Sequence, residues 1–278
     1  MGKSSIERNQ ADFLCIGSPK CGSTWLHSIL DSHPDLFIPD HAREIHFFDR
    51  YWERGVDWYN GLYANKGSAK CAGEVTPHYL YVPDIERIYN YNPDFRLILI
   101  FRNPVRRCIS HYKFRQRLDN YSGDLQQFIE DFPEAIEWGL YAKHLSRFYS
   151  HFPKEQILVL EFEEVTKNVE QLKLLLADFL NVDVEKFPRD AGDKAVNQHT
   201  TMAFPVIYRF AIKLSKILIN LRLYKVLNIS KKILGRVVMR EAKVKKPTEE
   251  IMSQEIQNLQ EIFKKDQDCL KKLLQSGM

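Results

Sequence analysis

The chain has no uninterrupted apolar run of membrane length, and its first ten residues, Met1 to Gln10, lack the hydrophobic centre of a secretory leader. Gly2 and Ser5 do not make a myristoylation signal, because Ile6 stands where the hydroxyl is needed. Cysteine is sparse: Cys15, Cys21, Cys71, Cys108 and Cys269 are an odd set with no C-x-x-C pair. That excludes a disulfide framework and a zinc knuckle, and it fits a reducing compartment, so a cytoplasmic location is expected. Excess charge is lacking too. Forty Lys and Arg against thirty-six Asp and Glu leave +4 over 278 residues, too little for a general nucleic-acid binder, and the basic residues are better explained by local anion sites. There is no internal repeat or low-complexity tract. A more local absence is acidic: no Asp or Glu occurs from Ala203 to Arg240.

What is present is a chain of 278 residues, 44% hydrophobic, long enough to bury a substantial core as one domain over 1–278. Short apolar runs alternate with helical patterns, which predicts an α/β fold, a central mostly parallel sheet flanked by helices in three layers. Strands are expected at Asp12–Gly17, Ala69–Val75, Phe95–Phe101 and Gln156–Phe162. Helices are expected at Ser23–Asp31, Pro83–Tyr89, Pro104–Arg117, Leu125–Asp131, Gly139–Phe152, Asn168–Leu180 and within 248–274. Residues 1–10 read as a flexible N-terminus. The acid-free stretch, within 203–246, reads as a basic helical segment: Ile207, Phe210, Leu214, Ile217 and Leu221 recur at helical spacing. It is expected to pack on the domain with a solvated basic side, to lie over an anionic ligand, or to make weak contact with an anionic membrane surface.

Two motifs carry chemistry. In the first, the apolar run Phe13-Leu14-Cys15-Ile16 breaks into Gly17-Ser18-Pro19-Lys20-Cys21-Gly22-Ser23-Thr24-Trp25. Two glycines let the main chain curl around an anion, and the free amides of the helix that follows stabilise negative charge. The glycine spacing is that of a phosphate loop, yet Ser23 follows Gly22 where a nucleotide triphosphatase carries lysine, and Lys20 sits inside the loop instead. In the second motif, a buried-type strand ends in Arg102-Asn103-Pro104, with Ser110 two helical turns on. Asn103 reads as an N-cap and Pro104 as the first helical residue, so Arg102 and Ser110 can face one phosphate.

With these two motifs the chain resembles the sulfotransferases that use 3′-phosphoadenosine 5′-phosphosulfate (PAPS), over most of its length. Gly17 to Thr24 is similar to the family's 5′-phosphosulfate loop, and Arg102 with Ser110 to its 3′-phosphate site. Arg43-Glu44-Ile45-His46-Phe47-Phe48-Asp49 is similar to the acceptor-side loop of the heparan sulfate O-sulfotransferases and many bacterial relatives, unlike the phenol and steroid branch. Gly73-Glu74-Val75-Thr76-Pro77-His78-Tyr79 resembles the loop after the second strand, but Val75 stands where heparan sulfate enzymes commonly carry lysine. That departure points away from a polysaccharide. Phe263-Lys264-Lys265-Asp266 resembles the closing helix of bacterial members.

The resemblance implies a P-loop-type fold, PAPS as donor, no metal, and a small-molecule acceptor sulfated on a hydroxyl, less readily on an amine. It implies Lys20, Glu44 and His46 as catalytic residues. Donor binding falls to Lys20, Cys21, Gly22, Ser23, Thr24, Trp25, Arg102 and Ser110, with Lys194 and Asn197 closing over the nucleotide. Asp49, Glu74 and His78 are assigned to the acceptor. Cys21, near a helix N-terminus, is in a position where a thiol pKa can fall. Two other classes stay open at this stage. One is a P-loop nucleotide or small-molecule kinase, disfavoured by the displaced lysine. The other is a non-catalytic anion- or membrane-surface-binding protein built on the basic segment.

Overall fold

The structure is a computed structural model that describes residues 9–39, 44–193, 200–202, 239–241 and 253–275. Five parallel strands form its centre: β1 (Phe13–Gly17), β2 (Leu36–Phe37), β3 (Cys71–Val75), β4 (Arg96–Phe101) and β5 (Ile157–Glu161), in the order β2-β3-β1-β4-β5. Phe13 lies opposite Gly73 on one side and Arg96 on the other, and Leu97 lies opposite Ile157. Side chains alternate across the sheet. Phe13, Cys15, Ile98 and Ile100 enter one core, where α1 (Ser23–Asp31) and α10 (Val169–Leu180) supply Leu26, Ile29, Leu172 and Leu176. Leu14, Ile16, Leu97 and Leu99 enter the other. There α2 (Phe47–Arg50), α3 (Val56–Gly61), α4 (Glu86–Tyr91) and α8 (Tyr141–Tyr149) bring Phe47, Tyr59, Ile88 and Leu145. The result is three layers around a parallel sheet covered on both faces. Burial of each such Leu, Ile or Phe contributes about 1.5–3 kcal/mol.

A third cluster sits beyond the sheet, where α5 (Pro104–Asp119), α6 (Leu125–Asp131) and α7 (Glu134–Glu137) meet the C-terminal helix α11 (Ser253–Gln275) through Cys108, Phe128, Leu259 and Phe263. Asp266 of α11 accepts the Ala142 and Lys143 amides at 3.0 Å each, capping α8, which has no side-chain cap of its own. The short α9 (Phe162–Val165) follows β5 directly. Asn103 caps α5 through the Arg106 amide at 3.1 Å, with Pro104 in the first turn, as the motif predicted.

Of the basic segment expected to be helical, Met239–Glu241 is instead a strand, β7, antiparallel to β6 (Thr200–Met202). The β-branched Thr200 and Thr201, opposite Glu241 and Arg240, suit this extended pairing. The remainder of 203–246, the residues Lys194 and Asn197, and 1–8 of the N-terminus lie outside the described residues, as does 248–252 of the last expected helix.

Candidate active site

The chain runs from β1 towards β2 on one side and from β3 across to β4 on the other, and a crevice opens at such a switch point, at the carboxyl ends of the strands. A cleft of about 800 Å³ lies there, lined by the loop after β1, the start of α1, the cleft face of α5 and the Glu44 and His78 side chains.

Gly22 is the N-cap of α1 with φ 90°, a left-handed conformation that glycine adopts without strain. A Cβ there would run into the Phe162 ring. No side chain caps α1, and its first internal bond is Leu26 N–H to Gly22 C=O at 3.0 Å, so the amides of Ser23, Thr24 and Trp25 are left for an anion. Ser23 and Thr24 line the cleft. The Trp25 indole donates to Gly192 C=O at 2.8 Å and clasps the loop of Gly192 and Asp193, which also lines the cleft. Lys20, also left-handed at φ 69°, places Nζ 3.7 Å from the centre of the Phe114 ring. Burial and the nearby Arg117 charge pull its pKa down to about 8.

Cys21 is not where the motif put it. Its side chain is fully buried on the far side of the loop, with Sγ 3.5 Å from the Tyr141 hydroxyl. Burial raises the thiol pKa, overriding any effect of the helix terminus, so Cys21 supports the loop and does not line the cleft.

Arg102 and Ser110 line the same cleft. Arg102 engages Glu163 through Nε at 3.4 Å, and its guanidinium lies 5.1 Å from the Phe162 ring. Three residues that the motifs did not single out extend this wall: Phe114, Arg117 and, stacked on Trp138 at 5.0 Å, His111. A signal for two of them was present, since Ser110, Phe114 and Arg117 recur at i, i+4 and i+7. Burial among Arg107, Arg115 and Lys20 pushes His111 down to about 3, so it is neutral.

Glu44, which lines the cleft with Lys20, accepts through Oε2 from His46 Nε2 at 3.0 Å. His46 Nδ1 lies 2.9 Å from Asp49 Oδ2. Burial pushes Glu44 up, but the His46 hydrogen bond and the closeness of His78 outweigh it and hold the carboxyl at about 2. Burial likewise pulls His46 down, but Asp49 and Glu44 raise it to about 9. The three therefore form a carboxylate–imidazolium–carboxylate chain at neutral pH. Asp49 orients His46 and is absent from the cleft wall, and His46 reaches the cleft only through Glu44. His78 Nδ1 lies 3.4 Å from the same Glu44 oxygen, without hydrogen-bond alignment. Among the described residues, Glu44, His46 and His78 bring ligand atoms within 4.8 Å of one another, a grouping that a metal ion can use.

Glu74, expected at the acceptor, is 1% exposed and does not reach the cleft. Its carboxylate turns inward because Tyr59, Thr76 and Tyr79 surround it with hydroxyls.

The comparisons with known proteins follow this geometry. A family model described as a sulfotransferase domain matches residues 10–273. The chain is 31% identical over 206 residues to heparan sulfate glucosamine 3-O-sulfotransferase 6 of Mus musculus, covering 70% of this chain and 57% of that protein. It is 30% identical over 216 residues to the human 3-O-sulfotransferase 3B1, covering 74% and 53%. The chain thus spans little more than half the length of these curated relatives. Among solved structures, a sulfotransferase from Alicyclobacillus acidocaldarius superposes with a TM-score of 0.60 at 24% identity, covering 79% of this chain and 96% of that one. This likeness is one of fold.

Proposed function

Because this chain belongs to the sulfotransferase domain family, whose members draw on PAPS, we propose that it transfers a sulfuryl group from PAPS to a hydroxyl of a small metabolite or natural product. The observation that carries this reading is the meeting, in one cleft, of an uncapped helix start, Lys20 and the Glu44 end of the Glu44–His46–Asp49 chain. We take residues 1–278 as one such domain, working in the cytoplasm; among the described residues no helix is long and apolar enough to cross a membrane.

The donor's 5′-phosphosulfate fits the α1 amides with Ser23 and Thr24, and its 3′-phosphate fits Arg102 and Ser110. Lys194 and Asn197 are proposed to close over the nucleotide. In the transfer, the sulfur bond to the phosphate oxygen breaks and its electron pair stays on that oxygen, while a new bond forms from sulfur to the acceptor oxygen. Lys20, protonated at pH 7, neutralises the charge that grows on the departing phosphate. Glu44 takes the acceptor proton. A carboxylate held at about 2 is a weak base towards a free alcohol. The acceptor proton becomes far more acidic as sulfur bonds to its oxygen, so Glu44 accepts it late, with His46 holding the carboxyl in place through Oε2. Near Glu44 the cleft is lined by His78 and Trp138, surfaces that suit a ring or an apolar body beside the reacting hydroxyl.

Calorimetry tests the donor assignment. The protein is expected to bind 3′-phosphoadenosine 5′-phosphate well and the analogue without the 3′-phosphate poorly, and Arg102→Ala is expected to erase the difference. Equal affinity of the native protein for the two nucleotides would remove it. Incubation with labelled donor and a metabolite extract identifies the acceptor. The names of the curated relatives favour a second reading, a heparan-type polysaccharide, which label appearing in heparan sulfate and in no small molecule would establish.

A further inference from the structure

Glu74 lies on β3 behind the cleft, almost fully buried. Its Oε1 accepts from the hydroxyls of Tyr59 at 2.5 Å and Tyr79 at 3.1 Å, and its Oε2 from that of Thr76 at 2.5 Å. Two of those hydroxyls have a second duty. Thr76 Oγ1 accepts the Ile45 amide at 3.1 Å, and the Tyr79 hydroxyl accepts the Phe47 amide at 2.7 Å. Ile45 and Phe47 flank His46, whose φ of 58° places a residue with a bulky side chain in the left-handed region. That conformation persists only where the surroundings hold it, and here it is held by the amides on either side.

A hydroxyl has one proton to give. Because a carboxylate only accepts, it draws the protons of Thr76 and Tyr79 towards itself and leaves their lone pairs facing the two amides. An uncharged group at position 74 brings a proton of its own, which must point at one of the three hydroxyls and turns that hydroxyl's proton away. Resting on the reading of Glu44 as base, we propose that Glu74 is a positioning residue for it: through Thr76 and Tyr79 its carboxylate locks the turn that sets the His46 imidazole between Asp49 and Glu44.

The relay is sensitive to pH near neutrality. Burial pushes Glu74 up to about 7, against the hydrogen bonds from Thr76, Tyr59 and Tyr79 and the charge of His46. The other groups facing it are Tyr59 and Tyr63 on the α3 side and Tyr91 of α4, with Tyr79. All four are raised by burial and uncharged at pH 7. Asp12 and Asp49 act on the same tyrosines from the start of β1 and from α2. As pH falls through about 7, Glu74 takes up a proton, the direction of the relay is lost, and turnover falls with it.

The test is kcat against pH for the native protein, Glu74→Gln and Tyr59→Phe, with the His46 imidazole followed by NMR and nucleotide affinity by calorimetry. Glu74→Gln is expected to lower kcat about 10- to 100-fold, the scale of a misplaced catalytic group. It should also abolish the acid limb near pH 7, shift the His46 resonances and leave the affinity for 3′-phosphoadenosine 5′-phosphate within about twofold. Tyr59→Phe removes a bond that favours the charged carboxylate and leaves both relay hydroxyls in place, so it should move the acid limb to higher pH. Native-like kcat and His46 resonances in Glu74→Gln would overturn the proposal, as would an acid limb that stays put in Tyr59→Phe. If Glu74→Gln does not fold, the Tyr59→Phe limb decides alone. Normal transfer by Glu44→Gln would sink the base reading by itself, with the His46 resonances still deciding the relay.

Discussion

At the scale of single residues, the site works by placing two groups of opposite charge in one cleft and giving each a different reason to keep it. Lys20 keeps its proton against burial and against Arg117, both of which pull it down to about 8. Its charge is therefore lost as pH rises through that value, and kcat/KM should fall on the same alkaline limb, since that ratio reports the free enzyme. Replacing Arg117 with Gln removes a repelling charge, raises the Lys20 pKa and should carry the limb to higher pH; a limb that does not move would show that another group controls it. The same two residues separate by kinetics. Glu44→Gln should lower turnover by the ~10²–10⁴-fold of a lost general base with donor affinity nearly intact, whereas Lys20→Ala should harm turnover and loosen the donor together. His46 is a candidate in the sequence only through the resemblance of its R-E-I-H-F-F-D loop to the family's acceptor-side loop, and the structure gives that loop a shape: the left-handed turn at His46 lets residues 44 and 49 reach opposite nitrogens of one ring. Glu74 was misplaced for an equally physical reason. A polar residue at the end of a strand reads as facing the ligand crevice, and nothing in its own segment discloses that Tyr59, fifteen residues earlier, takes its carboxylate inward.

At the scale of elements, the donor wall depends on a loop that the strand and helix patterns did not single out. Lys173 of α10 is 2% exposed, and its Nζ donates to Pro188 C=O and Arg189 C=O at 3.1 Å each while pairing with Glu170 at 2.8 Å. These carbonyls lead into Gly192 and Asp193, which line the cleft, and Gly192 is itself clasped by Trp25. Lys173→Met takes the donor from the exposed Pro188 and Arg189 carbonyls, at about 0.5–1.5 kcal/mol for each hydrogen bond lost. It should therefore lower Tm and weaken nucleotide binding several-fold with little change in kcat at saturating donor. Equal affinity in calorimetry would show that the loop needs no such tether. In sequence Lys173 is one more lysine on an amphipathic helix; only the packing of the 188–193 loop across α10 gives it a task. The longer elements were legible: α1 and α6 have the predicted ends, and β1, β3, β4 and β5 lie within the predicted strands. The missed ones, β2, β6, β7, α2, α3, α7 and α9, span two to six residues. A segment so short completes no hydrophobic period, and the neighbouring core decides its conformation.

At the scale of the whole molecule, the C-terminal helix joins two of the three core clusters: Phe263 packs with α5 and α6, Leu270 enters the core on one face of the sheet, and Asp266 caps α8 between. The segment that resembles the closing helix of bacterial members is thus a strut behind Gly139 and the neighbouring Trp138. The placement of the four tryptophans has an optical consequence. Trp52 and Trp58 pack against the core around Phe47, away from the cleft, whereas Trp25 and Trp138 both line it. Trp25 sits in the first turn of α1 with its indole N–H fastened to the Gly192 loop that lines the cleft, and Trp138 stacks on His111 and meets His78 edge-on. Intrinsic fluorescence then reports the two halves of the cleft without a label. Nucleotide titrated into Trp138→Phe should change the emission through Trp25, and the same titration of Trp25→Phe should leave it nearly flat. An emission change of equal size in both variants would mean that the two walls move as one body when the nucleotide arrives.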